Sequence, residues 1–142
     1  MKISDLRKLA ARGEDSRLRY KSDVRNVDAL AAEMAAFANS EGGRILIGVA
    51  DHGGLDGISR TKVDRINQLI SNASSHHVRS PISPQTINVS VGKGKIVIVV
   101  TIPKGIDKPY FDKNGVIWLK VGADKRRVNS KEELRRLFQV SG

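Results

Sequence analysis

The chain contains no cysteine, so neither a disulfide framework nor a thiolate metal site can organise it. It has three histidines, and the adjacent pair His76-His77 points its side chains apart. With His52 far away in sequence, a histidine metal centre is not expected. Aromatic residues make up 4% of the 142, too few for an extensive base-stacking surface. No apolar run approaches the roughly 20 residues of a membrane-spanning helix. Met1-Lys2-Ile3-Ser4-Asp5 does not open like a secretory signal, so a cytoplasmic chain is expected. Nothing fits the phosphate loop G-x-x-x-x-G-K-[ST], and no helix opens on the turn formed by Gly48, Gly53, Gly54 and Gly57. Nucleotide hydrolysis and dinucleotide binding are therefore unsupported. No serine stands in a nucleophile elbow. These absences remove most catalytic classes.

What the chain has in excess is positive charge. The formal net charge is +10, and it is unevenly spread. Residues 1–25 hold eight Lys/Arg against four Asp/Glu, residues 26–103 seven against six, and residues 104–142 ten against five. Both ends are basic and the centre is nearly neutral. Such a distribution points to a polyanionic partner, most often nucleic acid, against the plainer reading of a surface kept soluble by lysine. The length suits one domain, 1–142, able to bury about 70% of its unfolded surface.

The centre carries the clearest element signals. Val27, Leu30, Ala31, Met34 and Ala38 recur at helical spacing, with Phe37 beside them and Asn26 as the N-cap. Asn39-Ser40-Glu41-Gly42-Gly43 ends that helix at a glycine corner. Arg44 to Ala50 follows as a short apolar run without clean alternation, a strand covered on both faces. Asp51-His52-Gly53-Gly54 and Asp56-Gly57 read as turns. Upstream, a short amphipathic helix spans Ser4 to Arg12, and Arg17-Leu18-Arg19-Tyr20-Lys21 alternates like an edge strand. Downstream come a helix from Thr61 to Ala73, a strand at 86–91, and a GKGK turn (92–95). The turn offers amides and lysines to a phosphate, but it reads first as a hairpin tip. It leads into a β-branched strand at 96–102. Asp112-Lys113-Asn114-Gly115 forms a hairpin turn before a strand at 116–121, and Lys125-Arg126-Arg127 falls in a loop. A capping box at Ser130-Lys131-Glu132-Glu133 opens a last helix. The fold class is α+β, a mixed β-sheet with packed helices.

Phe37-Ala38-Asn39-Ser40-Glu41-Gly42-Gly43, followed by Ile47-Gly48-Val49-Ala50-Asp51 and Gly57, resembles the signature of the AlbA-like putative DNA-binding domain of the Schlafen family. The likeness extends over roughly residues 6–137. Pro109 and the aromatic strand ending in Lys120-Val121-Gly122 match a weaker flanking pattern. The resemblance implies a nucleic-acid-binding domain of Schlafen and bacterial transcriptional-regulator proteins. It also implies pairing of two such lobes, here as a homodimer. In nuclease-competent relatives, three carboxylates hold Mg²⁺ or Mn²⁺ for RNA cleavage. Glu14 and Asp51 match two of those positions, but Arg19 stands where the remaining glutamate belongs. Arginine offers no oxygen and repels the ion.

The expected activity is therefore nucleic-acid binding, to DNA in the first instance, with no catalytic residue, no metal and no cofactor. The candidate contacts are Arg17, Arg19 and Lys21 on the edge strand, with Lys120, Lys125, Arg126 and Arg127 near the other end. These are expected to meet phosphates with little regard to sequence. The competing readings are a divergent metal-dependent endoribonuclease and a protein-interaction module without nucleic-acid affinity.

Overall fold

The computed structural model describes residues 1–141. The elements run α1 (Ile3–Ala11), β1 (Leu18–Lys21), α2 (Val27–Asn39), β2 (Gly43–Ile47), β3 (Ile58–Ser59), α3 (Arg60–His76), β4 (Val78–Arg79), β5 (Gln85–Gly92), β6 (Lys95–Ile102), β7 (Phe111–Asp112), β8 (Trp118–Val121), β9 (Asp124–Arg127) and α4 (Lys131–Ser141). The class is α+β, as the sequence indicates.

The main sheet is mixed. β1 lies parallel to β2, a pairing made possible by the α2 crossover between them. β2 is antiparallel to β6, and β3 takes up the same edge of β6 where β2 leaves it. β5 covers the opposite edge of β6 in a hairpin whose tip places Lys93 and Gly94 at positive φ. β1 and β5 are thus the outer strands. Two further pairs, β4–β7 and β8–β9, form small separate sheets.

Successive residues of the central strands enter different cores. Ile45, Ile47, Ile98, Val100 and Ile102 pack under α2 and α3. Leu46, Val97 and Val99 pack with Leu18, Tyr20 and Val89 under α1. This explains the lack of alternation in β2 and β6, since both faces are covered. Each fully buried isoleucine contributes roughly 1.5–3 kcal/mol. Tyr20 also ties α1 to the sheet, its hydroxyl donating to Ala10 O at 2.6 Å and accepting from Gly13 N at 3.1 Å.

The corner after α2 leaves no room for side chains. Gly42 has φ +74°, and a Cβ there would lie 2.7 Å from Ile102 O and Lys104 N; one on Gly43 would lie 2.5 Å from Arg17 O and the Phe37 ring. Only glycine lets the chain turn this tightly from helix into strand.

Three expectations need correction. The helical spacing in α2 marks one apolar face, but in place the helix is buried on all sides from Leu30 to Asn39, because β7 and β8 cover the flank away from the sheet. α3 continues past Ala73 to His76, with Ser74 Oγ returning a hydrogen bond to Ser71 O at 3.2 Å. The cationic segment after Ala123 is not a loop. It forms β9, folded back on β8 through a turn at Gly122, whose φ is +58°.

Candidate nucleic-acid interface

The β8–β9 hairpin is held on α2 by the polar end of the helix. Asn39 is buried, and its Nδ2 donates to Tyr110 O and Trp118 O, both at 2.9 Å, while its Oδ1 accepts from Tyr110 N at 2.7 Å. Ser40 Oγ accepts from Lys120 N at 3.1 Å. The asparagine and serine of the family-like motif are thus docking groups for the segment from Tyr110 to Lys120. On the same segment Asp112 accepts from Asn114 N and Val116 N within its turn, and from Trp118 Nε1 at 3.0 Å.

Cross-strand pairing then sorts the hairpin's side chains by face. Trp118 opposes Arg127 and Lys120 opposes Lys125, which puts all four on one side. That side meets α2. The Lys120 side chain is 0% exposed, with Nζ 3.0 Å from Glu33 Oε1, 2.7 Å from Ala123 O and 4.6 Å above the Phe37 ring. Lys125 Nζ lies 3.3 Å from Glu33 Oε2. Both Lys125 and Arg127 also lie against Trp118, 5.6 and 5.4 Å from its ring centre.

β1 supplies the facing wall. Leu18 and Tyr20 point into the α1 core, so Arg19 and Lys21 project on the α2 side. Arg19 Nη1 donates to Ala123 O at 3.1 Å and lies 3.8 Å from Asp124. Its Nε is 3.2 Å from Glu14 Oε2, close enough to pair electrostatically but without an aligned hydrogen bond. Glu14 Oε2 accepts from Tyr20 N at 3.2 Å.

Four cations, Arg19, Lys21, Lys120 and Lys125, therefore gather around the carboxylates of Glu33 and Glu14, with exposed Asp124 at the rim. Burial alone would raise the Glu33 carboxyl. The charge and hydrogen bond of Lys120, then the charges of Lys125 and Arg19, outweigh it and hold Glu33 below its ordinary value. Lys21 is lowered, first by burial and next by the like charge of Arg19. This is a positive seam with its carboxylates already committed.

The structure distributes the predicted contacts unequally. Arg19, Lys21 and Lys125 come together in the seam. Lys120 joins them but is sealed from solvent, so it cannot touch a phosphate in this conformation; it neutralises Glu33 instead. Arg17 stands outside, exposed and 3.9 Å from Glu41. Arg126 points away from the seam and pairs with Glu133 of α4, while Arg127 is occupied by Trp118. Neither is the free loop cation the sequence suggested, because strand pairing fixes which way each one points.

Asp51 is exposed in the turn after β2, and Glu14 is engaged by Arg19. Among the described residues, no group of three His, Cys, Asp or Glu side chains is placed to hold a metal ion. This donor set does not suit Mg²⁺ or Mn²⁺. His77 Nδ1 instead lies 2.9 Å from Asp28, which also pairs with Lys113 at 3.3 Å. Glu33 is a member of the site that the motifs do not mark, although a lone charge inside Ala-Ala-Glu-Met-Ala-Ala is a signal that the helix buries it against a cation. No described helix is long and apolar enough to cross a membrane.

The family model described as "Schlafen, AlbA_2" matches residues 14–129. No curated protein matches the chain. Among solved structures, the chain is similar to the DIP2311 protein from Corynebacterium diphtheriae, with a TM-score of 0.60 and 21% identity over 99% of this chain and 32% of that one. It thus spans about a third of that protein's length. It is also similar to the N-terminal domain of a putative ATP-dependent DNA helicase RecG-related protein from Nitrosomonas europaea. That match has a TM-score of 0.59 and 20% identity, over 92% of this chain and 95% of that domain. At these identities the structural likeness establishes fold alone, whereas the family match spans most of the sequence: the chain belongs to the Schlafen AlbA_2 family.

Proposed function

We propose that this chain binds nucleic acid, DNA in the first instance, at the seam between β1 and the β8–β9 hairpin, without cleaving it. The observation that carries the reading is the excess of cations over carboxylates there, with Glu33 and Glu14 already neutralised from within the fold. A phosphate approaching Arg19, Lys21 and Lys125 meets positive charge that no described carboxylate fully cancels. One structural neighbour is a domain of a DNA helicase-related protein, which agrees with this reading. Trp118 is covered by two cations and bonded to Asp112, so base stacking has little part, and backbone contact is the mode. A second copy would lengthen the basic surface, which makes a homodimer the natural assembly; light scattering with and without DNA tests that extension.

The principal experiment is filter binding across duplex DNA, single strands and structured RNA over a salt series. Neutralising about three phosphates with the seam cations of one copy, or about six with those of two copies, gives a log–log slope of about −3 to −5. Lys21→Ala and Lys125→Ala should each weaken binding and shallow the slope by about 0.9, one phosphate contact on duplex DNA. A flat salt response in the natural protein would remove nucleic acid as the ligand.

A further inference from the structure

A second cationic site lies around the end of β1, on the α1 side of the sheet. A pocket of about 290 Å³ opens between α1 and the starts of β1 and β2, and its lining includes Leu9, Arg12, Arg17, Leu18, Glu41 and Arg44. Arg44 is the unusual member. It is the second residue of β2, a strand flanked by β1 and β6, and its register partners are Leu18 and Thr101. Nothing in the packing requires an arginine there. Its guanidinium makes no ion pair among the described residues.

The neighbouring arginines are only loosely held. Arg12 lies 3.6 Å from Asp15 and Arg17 lies 3.9 Å from Glu41, with all four side chains substantially exposed. Lys104 also pairs with Glu41, at 3.3 Å. Exposed pairs of this kind are worth about 0–1 kcal/mol and exchange readily for a better anion. Arg12, Arg17, Arg44 and Lys104 set against Asp15 and Glu41 leave a net charge of +2. The C-terminus of α1 opposes an anion with only a fraction of a charge, and Arg12 lies at that end.

We propose that this pocket receives the terminal phosphomonoester of a nucleic-acid strand. A phosphomonoester carries a charge of about −1.5 to −2 near neutral pH, which matches the local excess, whereas an internal phosphodiester carries a single charge. Arginine forks also suit the monoester's three terminal oxygens. Leu9 and Leu18 form an apolar wall that strengthens the attraction by excluding water. The volume admits a phosphate with its sugar and nothing as wide as a duplex. This assignment rests on the nucleic-acid reading above: β1 carries Leu18 in the pocket lining and, on its other face, Arg19 and Lys21 of the seam.

The test uses one short single strand in three forms: 5′-phosphorylated, 3′-phosphorylated and hydroxyl at both ends. Fluorescence anisotropy should show one phosphorylated form binding about tenfold tighter than the hydroxyl form, equivalent to ~1.4 kcal/mol. Arg44→Gln should abolish that advantage while leaving hydroxyl-ended affinity unchanged, and Arg12→Gln should reduce it. Equal affinity of all three strands, or an advantage that survives Arg44→Gln, overturns the proposal while the broader reading stands. A nucleoside monophosphate binding as tightly as the phosphorylated strand reassigns the pocket to free nucleotides and equally overturns it. If no strand binds at all, the broader reading fails. Inorganic phosphate then decides the pocket separately: shifts of the Gly43 and Arg44 amide resonances support a phosphate site, and their absence at millimolar phosphate removes it.

Discussion

Breaking the Glu33–Lys120 pair should detach the hairpin's hold on α2 at a measurable cost. The two charged atoms are 3.0 Å apart and both side chains are essentially sealed from solvent. At an effective dielectric of about 20, that separation corresponds to a gross attraction of about 5–6 kcal/mol, much of it offset by the cost of removing both ions from water. Deleting one partner of such a pair typically costs about 3–5 kcal/mol, because the survivor stays buried without compensation. The two deletions are not equivalent here. Lys120→Met leaves Glu33 with Lys125 at 3.3 Å, so a loss near 3 kcal/mol, at the lower end of that range, is expected. Glu33→Gln removes the only carboxylate on Lys120 and leaves the buried ammonium with neutral acceptors alone, the amide oxygen and Ala123 O, beside the Phe37 ring, so its cost should fall nearer about 4 kcal/mol.

Trp118 is the sole tryptophan and belongs to the hairpin, so its fluorescence reports this docking during urea unfolding. With a denaturant slope of about 2 kcal/mol per molar, Lys120→Met should lower the midpoint by about 1.5 M. The double variant Glu33→Gln/Lys120→Met should lose about 4–5 kcal/mol rather than the roughly 7 kcal/mol sum of the single variants, a coupling energy of about 2–3 kcal/mol. Single variants losing less than about 1 kcal/mol, or a coupling below about 0.5 kcal/mol, would refute the account of a charge pair that holds the hairpin down.

Acid should act through the same carboxyl. The Glu33 pKa is held below its unfolded value of 4.5, so its stabilisation is complete above that pH and is lost as pH falls through the lower folded value. Urea midpoints measured downward from pH 6 should therefore decline below about pH 4.5 in the natural protein, and less steeply in Glu33→Gln; parallel declines would contradict this. Asn39→Ala orphans Tyr110 N and O and Trp118 O at once, and should cost about 3 kcal/mol in the same assay. A loss under about 1 kcal/mol would show that the motif asparagine is not a docking group. Arg19→Glu should lower both stability and DNA affinity, and the natural sequence should not cleave structured RNA with Mn²⁺; cleavage that vanishes in Glu14→Ala would defeat the binding-only reading.

The legible parts of this fold are the local ones. Asn26 caps α2 as its position suggests, accepting from Ala29 N at 3.0 Å, because capping involves residues three apart. The glycine corner is equally local. Glu33 and Lys120, by contrast, meet across 87 positions, and no spacing rule reaches that far. The sequence Asp124-Lys125-Arg126-Arg127 also has no β-branched or aromatic residue to mark a strand; pairing with Trp118-Leu119-Lys120-Val121 imposes one. Segment charge totals place the excess at the two ends of the chain. They cannot show that Lys120 is consumed by a buried carboxylate, or that Arg126 serves α4.

Arg19 connects these observations. The family resemblance places a glutamate at this position, and the structure shows what the arginine does instead: it touches Glu14, Ala123 O and Asp124, joining β1 to the hairpin. A glutamate here would lose the hydrogen bond to Ala123 O and face Glu14 across a short gap. Two like charges at about 4 Å repel by about 4 kcal/mol at an effective dielectric of 20, a cost that a bound divalent metal would have to cancel. Lys21, Lys120 and Lys125 stand around the same point and oppose such a metal. The arginine and the lysines are therefore mutually consistent: each is a positive charge that opposes a divalent ion beside Glu14. Restoring one carboxylate at this position would leave Lys21, Lys120 and Lys125 in place, and their charge opposes a divalent ion whichever residue stands beside Glu14.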